Sequence, residues 1–334
     1  MKLIKNTYND IFLSPPHISR WSIVARSLVV FTVLFSSPAV LATEGGAGYY
    51  VPGSMATLID LAPNKPGWIV EPMYLHYEGD TSVSKKIPVA GVVAANMSAT
   101  SDALLVGALY SFEQPVFGAT YTIGAYLPYV WMDIDADIAT QVGTLRVHDS
   151  ESGLGDVTLY PVMLAWQSGY WLYTAVLPIY APTGDFDEGK LANTGLNYWS
   201  LDPTLGLSYN NDQTGLNVAL FGGVTFNTEN SDTDYRSGSM FHLDGSIEQL
   251  LPLGPGFLSI GVEAFYLNQI SDDDSDSQLL GDFRGRSTGV GPVLGYILPR
   301  GEETLVFEMK WLTETDVENR LKGDYVWLKL VYQY

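Results

Sequence analysis

The sequence predicts an all-β fold, a transmembrane antiparallel up-and-down β-barrel of about twelve strands, and three observations carry that prediction. Apolar residues recur at every second position in segments of about ten residues, the span a tilted strand needs to cross a bilayer. The connections between these segments alternate strictly between short and long. After a leader-like start, no later stretch is apolar enough to cross a membrane as a helix.

The leader comes first. Lys2, Lys5, Arg20 and Arg26 precede the apolar run Leu28 to Phe35, followed by Ser36-Ser37-Pro38 and the small-residue pattern Val40-Leu41-Ala42. This order reads as a secretory signal peptide over residues 1–42, cut after Ala42. A membrane anchor would need roughly 20 apolar residues, and the run is shorter. The basic region is 26 residues long, which a start codon chosen too far upstream would explain. Residues 43–67, "TEGGAGYYVPGSMATLIDLAPNKPG", are rich in Gly and Pro and lack a strand pattern, so they are expected to form an N-terminal periplasmic or plug segment.

The barrel is expected over residues 68–334. Its strands are read at 68–77, 102–110, 119–131, 155–166, 170–180, 199–210, 214–226, 238–251, 256–269, 286–298, 303–312 and 325–334. In one segment Leu305, Phe307, Met309 and Trp311 oppose Thr304, Val306, Glu308 and Lys310; in another, Phe241, Leu243, Gly245 and Ile247 oppose His242, Asp244, Ser246 and Glu248. A soluble sandwich also alternates, so the connections decide. Those after odd-numbered strands are long (78–101, 132–154, 181–198, 227–237, 270–285, 313–324), and those after even-numbered strands are short, such as Gln167-Ser168-Gly169 and Asn211-Asp212-Gln213. Short periplasmic turns, long extracellular loops and an even strand count belong to outer-membrane barrels. Closure also pairs every backbone group in a solvent without water.

Aromatic residues gather where strands end: Tyr129, Trp131, Trp166, Tyr170, Trp171, Tyr180, Trp199, Tyr209, Trp311 and Trp327. Such rings suit the two interfaces of a membrane. The last strand places Val326, Leu328, Leu330, Tyr332 and Tyr334 on one face, and ends on the aromatic residue. That ending is similar to the C-terminal signal by which barrels are handed to the outer-membrane assembly machinery, with Tyr in place of the usual Phe.

Composition narrows the function. The 334 residues carry 37 Asp and Glu against 17 Lys and Arg, a formal charge of −20, which repels phosphate backbones and argues against nucleic acid as a partner. Cysteine is absent, which removes thiolate metal sites and cysteine nucleophiles. The acidic runs "TENSDTD" (228–234) and "SDDDSDSQLLGD" (271–282) fall in long connections, where they are expected to face solvent, divalent cations or lipopolysaccharide. The calcium-loop template fits Asp272, Asp274 and Asp276, then fails at Ser277 and Phe283. Alternation puts Glu71, Asp202, His242, Asp244, Glu248, Glu263, Glu308, Lys310 and Lys329 on the lumen side. They are read as a candidate polar lining, or as an ion-paired network that holds the interior in register.

The enzyme reading fails on context. Gly285-Arg286-Ser287-Thr288-Gly289 matches G-x-S-x-G, but it runs into a strand, and all four histidines (His17, His76, His148, His242) precede it. A lipid hydrolase on a twelve-stranded barrel needs His and Ser outside one strand near the rim, whereas His242 faces inward. No catalytic residue, cofactor or metal site is expected.

"GLGDVTLYP" (153–161), "LPIYAPTGDFDEGKLANTGLNYWSLDPTLGLSY" (177–209), "YRSGSMFHLDGSIEQ" (235–249) and "NRLKGDYVWL" (319–328) resemble the family named for the meta-pathway of phenol degradation. The P-T-G-[DE] loop with its N-x-G-x-N is the most specific part, and the likeness covers essentially the mature chain. The resemblance implies a porin-like outer-membrane transporter found alongside aromatic catabolism, and implies no catalytic residues.

Together these readings give an outer-membrane channel for passive uptake of small hydrophobic or aromatic solutes. The alternatives are an outer-membrane lipid hydrolase and a non-conducting structural or adhesive barrel. The loop bearing Asp185, Asp187, Glu188, Asn193 and Asn197 is the candidate extracellular mouth for the solute. The expected partners are outer-membrane lipid and lipopolysaccharide, the assembly machinery, and a small hydrophobic solute.

Overall fold

The computed structural model describes residues 48–63, 65–81, 86–89, 92–140, 143–275 and 284–334; the expected signal peptide lies outside the described residues. The barrel strands are β1 (Gly67–Asp80), β2 (Val92–Ser111), β3 (Thr120–Thr140), β4 (Gly143–Leu154 continued by Val157–Ser168), β5 (Trp171–Ala181) and β6 (Ser200–Leu201 continued by Thr204–Asn211). The second half comprises β7 (Leu216–Asn227), β8 (Met240–Leu253), β9 (Gly256–Gln269), β10 (Arg286–Arg300), β11 (Glu303–Glu318) and β12 (Lys322–Gln333). Each strand pairs antiparallel with its neighbours in sequence, and β1 pairs with β12 from Ile69↔Gln333 to Asp80↔Lys322, which closes the barrel. The backbone amide of Tyr334 donates to the Trp68 carbonyl at 3.2 Å and ties the C-terminus to the seam.

Turn chemistry follows the rhythm seen in the sequence. Gly169, Gly254 and Gly301 open two-residue turns with φ of 61°, 58° and 69°, which non-glycine residues adopt only with strain. The opposite end differs from expectation. Residues 78–101, 132–154 and 313–324 are strand for most of their length rather than loop. The 21 residues of β3 extend roughly 70 Å along the strand, far more than the ~25 Å apolar band requires even when tilted. These three hairpins therefore continue the wall beyond the membrane. They were misread because their charged faces (Asp133, Asp135, Asp137 opposite Arg146 and His148) break the apolar alternation while backbone pairing continues.

The two faces separate by burial. On β11, Phe307, Met309 and Trp311 are exposed on the outside, whereas Glu308, Lys310 and Leu312 are buried inside. Leu104, Val106, Leu127, Leu220, Val262 and Leu294 are likewise exposed outward, and each gains about 1.5–3 kcal/mol when lipid replaces water around it. Trp68, Trp131, Trp171, Trp199 and Trp311 supply outward rings. Tyr180 and Trp327 are corrections to the expected girdle. They are 8% and 2% exposed, because their strand positions face the lumen.

Two strands are interrupted. β4 breaks at Gly155-Asp156, and the strand expected at 199–210 breaks at Asp202-Pro203, where proline has no amide to give the ladder. At both breaks an aspartate turns inward.

Candidate functional site in the barrel lumen

Residues 48–63 pass through the barrel interior, and inward-facing side chains of β7, β8, β9, β11 and β12 surround them. The segment is fixed by backbone groups as much as by side chains. Trp327 Nε1 donates to the Pro52 carbonyl at 3.0 Å, Ser246 Oγ to the Ala56 carbonyl at 2.5 Å, and the Leu58 amide to Glu248 Oε1 at 2.6 Å. Gly53 has φ of 83°, and a Cβ there would lie 2.7 Å from Leu312 and 2.8 Å from the Trp327 ring, so only glycine fits.

Asp60 is the electrostatic centre. It ends a short 3-10 turn (Leu58–Asp60) whose Thr57 hydroxyl and amide both donate to it. Its two oxygens meet Lys329 Nζ at 2.5 Å and Lys310 Nζ at 3.0 Å. Lys310 also meets Glu263 at 2.9 Å and Glu308 at 3.4 Å, while Lys329 donates to the Gly53 carbonyl at 3.1 Å and lies over the Trp327 ring. Burial alone pushes the Asp60 carboxyl up, but the two ammonium groups outweigh it and hold the carboxyl below its ordinary value. An isolated buried charge would be prohibitive; a cluster with this many partners is tolerable.

A second node lies along the segment. The Tyr50 ring stacks on His242 with centroids 3.6 Å apart, and its hydroxyl donates to Asp244. His242 Nε2 meets Asp202 Oδ1 at 3.0 Å and Thr204 Oγ1 at 3.4 Å, and Nδ1 lies 3.6 Å from Asp244. A hydroxyl, a histidine and two aspartates are thus together, but both close contacts fall on one ring nitrogen and the group is wholly buried under Tyr50. A relay with the hydroxyl on one nitrogen and a carboxylate hydrogen-bonded to the other is not formed. Ser287 of the G-x-S-x-G match opens β10 and donates to Glu314 at 2.5 Å, not to a histidine.

Of the nine residues read as lumen-facing, eight are brought against the N-terminal segment or its immediate partners: Asp202, His242, Asp244, Glu248, Glu263, Glu308, Lys310 and Lys329. Glu71 stands apart on the β1 wall, where it accepts from the Tyr126 hydroxyl.

The "PTGDFDEGKLANTGLN" loop is a folded cap. Asp156, in the break of β4, accepts from the amides of Thr183 (2.8 Å), Gly184 (2.8 Å) and Leu196 (2.7 Å) and from the Tyr49 hydroxyl (2.9 Å). Asp149 accepts from the amides of Leu191 and Ala192, and those two side chains bury against Ala94, Met97, Ile134 and Ala136. Burial and the nearby Asp156 carboxylate keep the Tyr49 phenol protonated, far above its ordinary value. Of the expected mouth residues, Asp187 pairs with Lys190 at 2.7 Å, and its amide donates to Asn193 at 2.8 Å. The Asp185 amide donates to Thr194, Glu188 is exposed, and Asn197 (φ 60°) donates to Asn230. Asp149, Asp156 and Asp60 escaped the sequence reading; only the loss of alternation at Gly155-Asp156 marked one of them.

Between the N-terminal segment and the β1–β5 wall lies a cavity of about 130 Å³, lined mostly by apolar side chains. Among the described residues one group could hold a metal: Asp133, Asp135 and His148, with ligand atoms within 4.8 Å of one another. It sits on the outer face, where Arg146 already lies 3.8 Å from Asp135. Of the calcium-loop residues, Asp272 is paired with Arg284, which holds its carboxyl below the ordinary range, and Asp274 lies 3.5 Å from Arg236; Asp276, Ser277 and Phe283 lie outside the described residues.

The family described as the putative MetA-pathway of phenol degradation matches residues 80–330. The chain belongs to that family. Among solved structures it is similar to an outer membrane channel from Pseudomonas putida F1, at 17% identity, covering 85% of this chain and 100% of that one, with a TM-score of 0.62. It is also similar to the beta domain of the Bordetella autotransporter BrkA, at 12% identity, covering 81% and 100%, with a TM-score of 0.45. At 17% identity the likeness to the channel is one of fold. No curated protein matches the chain.

Proposed function

We propose that this family member is an outer-membrane channel for passive uptake of small hydrophobic or aromatic solutes, in which residues 48–63 act as a plug. The observation that carries the reading is the division of the lumen. The charged side chains on β8, β9, β11 and β12 are taken up by the N-terminal segment, and the remaining cavity against β1–β5 is lined mostly by apolar side chains. Wall side chains alone fill an eight-stranded barrel, and twelve strands enclose more space than that. Here the filler is a separate segment held by Asp60, Tyr50 and a few backbone groups, and a segment held that way can shift. Family membership and the fold shared with a protein described as an outer membrane channel support the same reading.

The basic and apolar stretch over residues 2–42 and the outward aromatic rings support delivery to the outer membrane of a Gram-negative cell through its barrel-assembly machinery, with lipid and lipopolysaccharide around the wall. The folded cap over residues 182–199 would form the extracellular mouth, with Asp185, Asp187, Glu188, Asn193 and Asn197 at its rim.

The test is flux of toluene and phenol into liposomes carrying the full chain, with single-channel conductance in parallel. Flux above protein-free liposomes supports the channel. Flux equal to theirs, with no conductance steps, would leave a closed structural barrel, and release of fatty acid from the liposome lipid would indicate the hydrolase.

A further inference from the structure

The cavity of about 130 Å³ is close in size to the ~150 Å³ engineered cavity that stays dry and holds one benzene. Its walls include Met55, Met73, Met163, Leu105, Leu109 and Phe221. Thioethers are flexible and make favourable contacts with ring edges, which suits a site that must accept and release a flat solute. The lining also includes Ser54, Asp60, Glu71, Thr158 and several tyrosines, and among its residues Thr174 alone carries a buried side-chain polar atom without a partner. Thr174 on β5 is 3% exposed, lines the cavity, and its hydroxyl has no hydrogen-bond partner. Buried hydroxyls are nearly always paired, and an unpaired one that faces a ligand-sized space is set up to bond with what fills it. Of the other polar groups of the lining, Glu71 and Tyr126 bond each other, and Asp60 holds Lys310 and Lys329.

We propose that this cavity is a binding subsite for one single-ring aromatic solute bearing a hydroxyl, with the ring among the methionines and the hydroxyl on Thr174. Met55 and Leu61 belong to the N-terminal segment, so one wall of the subsite is the plug itself, and solute occupancy and plug position are linked. The proposal deepens the channel reading and rests on it.

The experiment is calorimetric titration of the full chain in detergent micelles with phenol, toluene and 1-naphthol. Phenol is expected to bind saturably at one site and about tenfold more tightly than toluene, the value of one hydrogen bond. 1-Naphthol, a ring too large, is expected to give only the heat of partitioning into micelles. Thr174→Val, nearly isosteric, should bring phenol down to the toluene affinity and leave toluene unchanged. Met163→Trp should fill the cavity and abolish both, with heat-modifiable gel migration confirming that the barrel is folded. Phenol heats that do not saturate, or that are the same in the Met163→Trp protein, would overturn the subsite. Equal phenol and toluene affinities in the unmodified protein would overturn the role of Thr174. Saturable binding without liposome flux would keep the subsite and sink the channel reading, and flux without saturable binding would do the reverse.

Discussion

Asp60→Asn tests the lock on the N-terminal segment with one atom changed. In the folded protein the Asp60 carboxylate lies 2.5 Å from Lys329 and 3.0 Å from Lys310, with the two ammonium groups 2% and 0% exposed. Removing one partner of a buried ion pair costs about 3–5 kcal/mol, because the other charge is stranded. Lys310 keeps Glu263 and Glu308, so the loss falls mainly on Lys329, whose remaining partners are the carbonyls of Gly53 and Ser54. The lower end of the range, about 3 kcal/mol, raises the ratio of displaced to docked segment roughly a hundredfold. The assay is amide hydrogen exchange across residues 48–63 together with single-channel recording of the same protein. Protection over that stretch should fall by about two orders of magnitude, and long open dwells should appear. Asp187→Asn, which removes an exposed pair with Lys190, should change neither, since such pairs contribute about 0–1 kcal/mol. Undiminished protection in the Asp60→Asn protein would refute the idea that this cluster holds the segment.

Acid should act on the same lock. The Asp60 carboxyl is held below its ordinary value, so its contribution is complete above about pH 4 and is lost as pH falls through the depressed value. The Asp60 component of protection over residues 48–63, after correction for the intrinsic pH dependence of amide exchange, should therefore be lost only below about pH 4, and the Asp60→Asn protein should lack that component. Asp156→Ala removes the acceptor of three backbone amides, at about 1.5–3 kcal/mol for each bond to a charged group, and should make residues 182–199 sensitive to limited proteolysis while the barrel survives. Leu294→Arg puts a charge on the lipid side and should destabilise the barrel in vesicles by about 2–4 kcal/mol in urea titrations; no loss would mean the faces are assigned the wrong way round. Gly223→Ala should disturb the Asp202–His242 pair, because a Cβ there would press on Thr204, His242 and Asp202, and a lowered melting temperature checks it.

Which parts of this were legible in the sequence follows from which forces act locally. The twelve-strand barrel was readable because alternation is a period-two property of each strand, and turns such as Gly254-Pro255 mark their own positions. The inward charges were readable for the same reason, down to Lys310 beside Trp311. The upper hairpins were not, since outside the membrane one face of the wall no longer needs apolar residues, and Asp133-Ile134-Asp135 reads like loop. The counter-charge for Lys310 and Lys329 was hidden as well. Asp60 lies about 250 residues away in a stretch without periodicity, and nothing local distinguishes an aspartate that enters a barrel from one in a tail. The acidic "GDFDEG" carries its own carboxylates outward, and the aspartates that shape the loop, Asp149 and Asp156, sit on the neighbouring strand.

The central claim is that residues 48–63 control passage through the lumen. The chain has no cysteine, so one disulfide can be introduced without competition. Ser246 Oγ donates to the Ala56 carbonyl at 2.5 Å, so the two residues touch, and Ala56→Cys with Ser246→Cys puts one thiol on the segment and one on the adjoining wall. Toluene flux into liposomes should be low with the tether oxidised and rise several-fold on reduction, approaching that of either single variant. Equal flux in the oxidised and reduced states, with the disulfide confirmed by mass, would contradict the account.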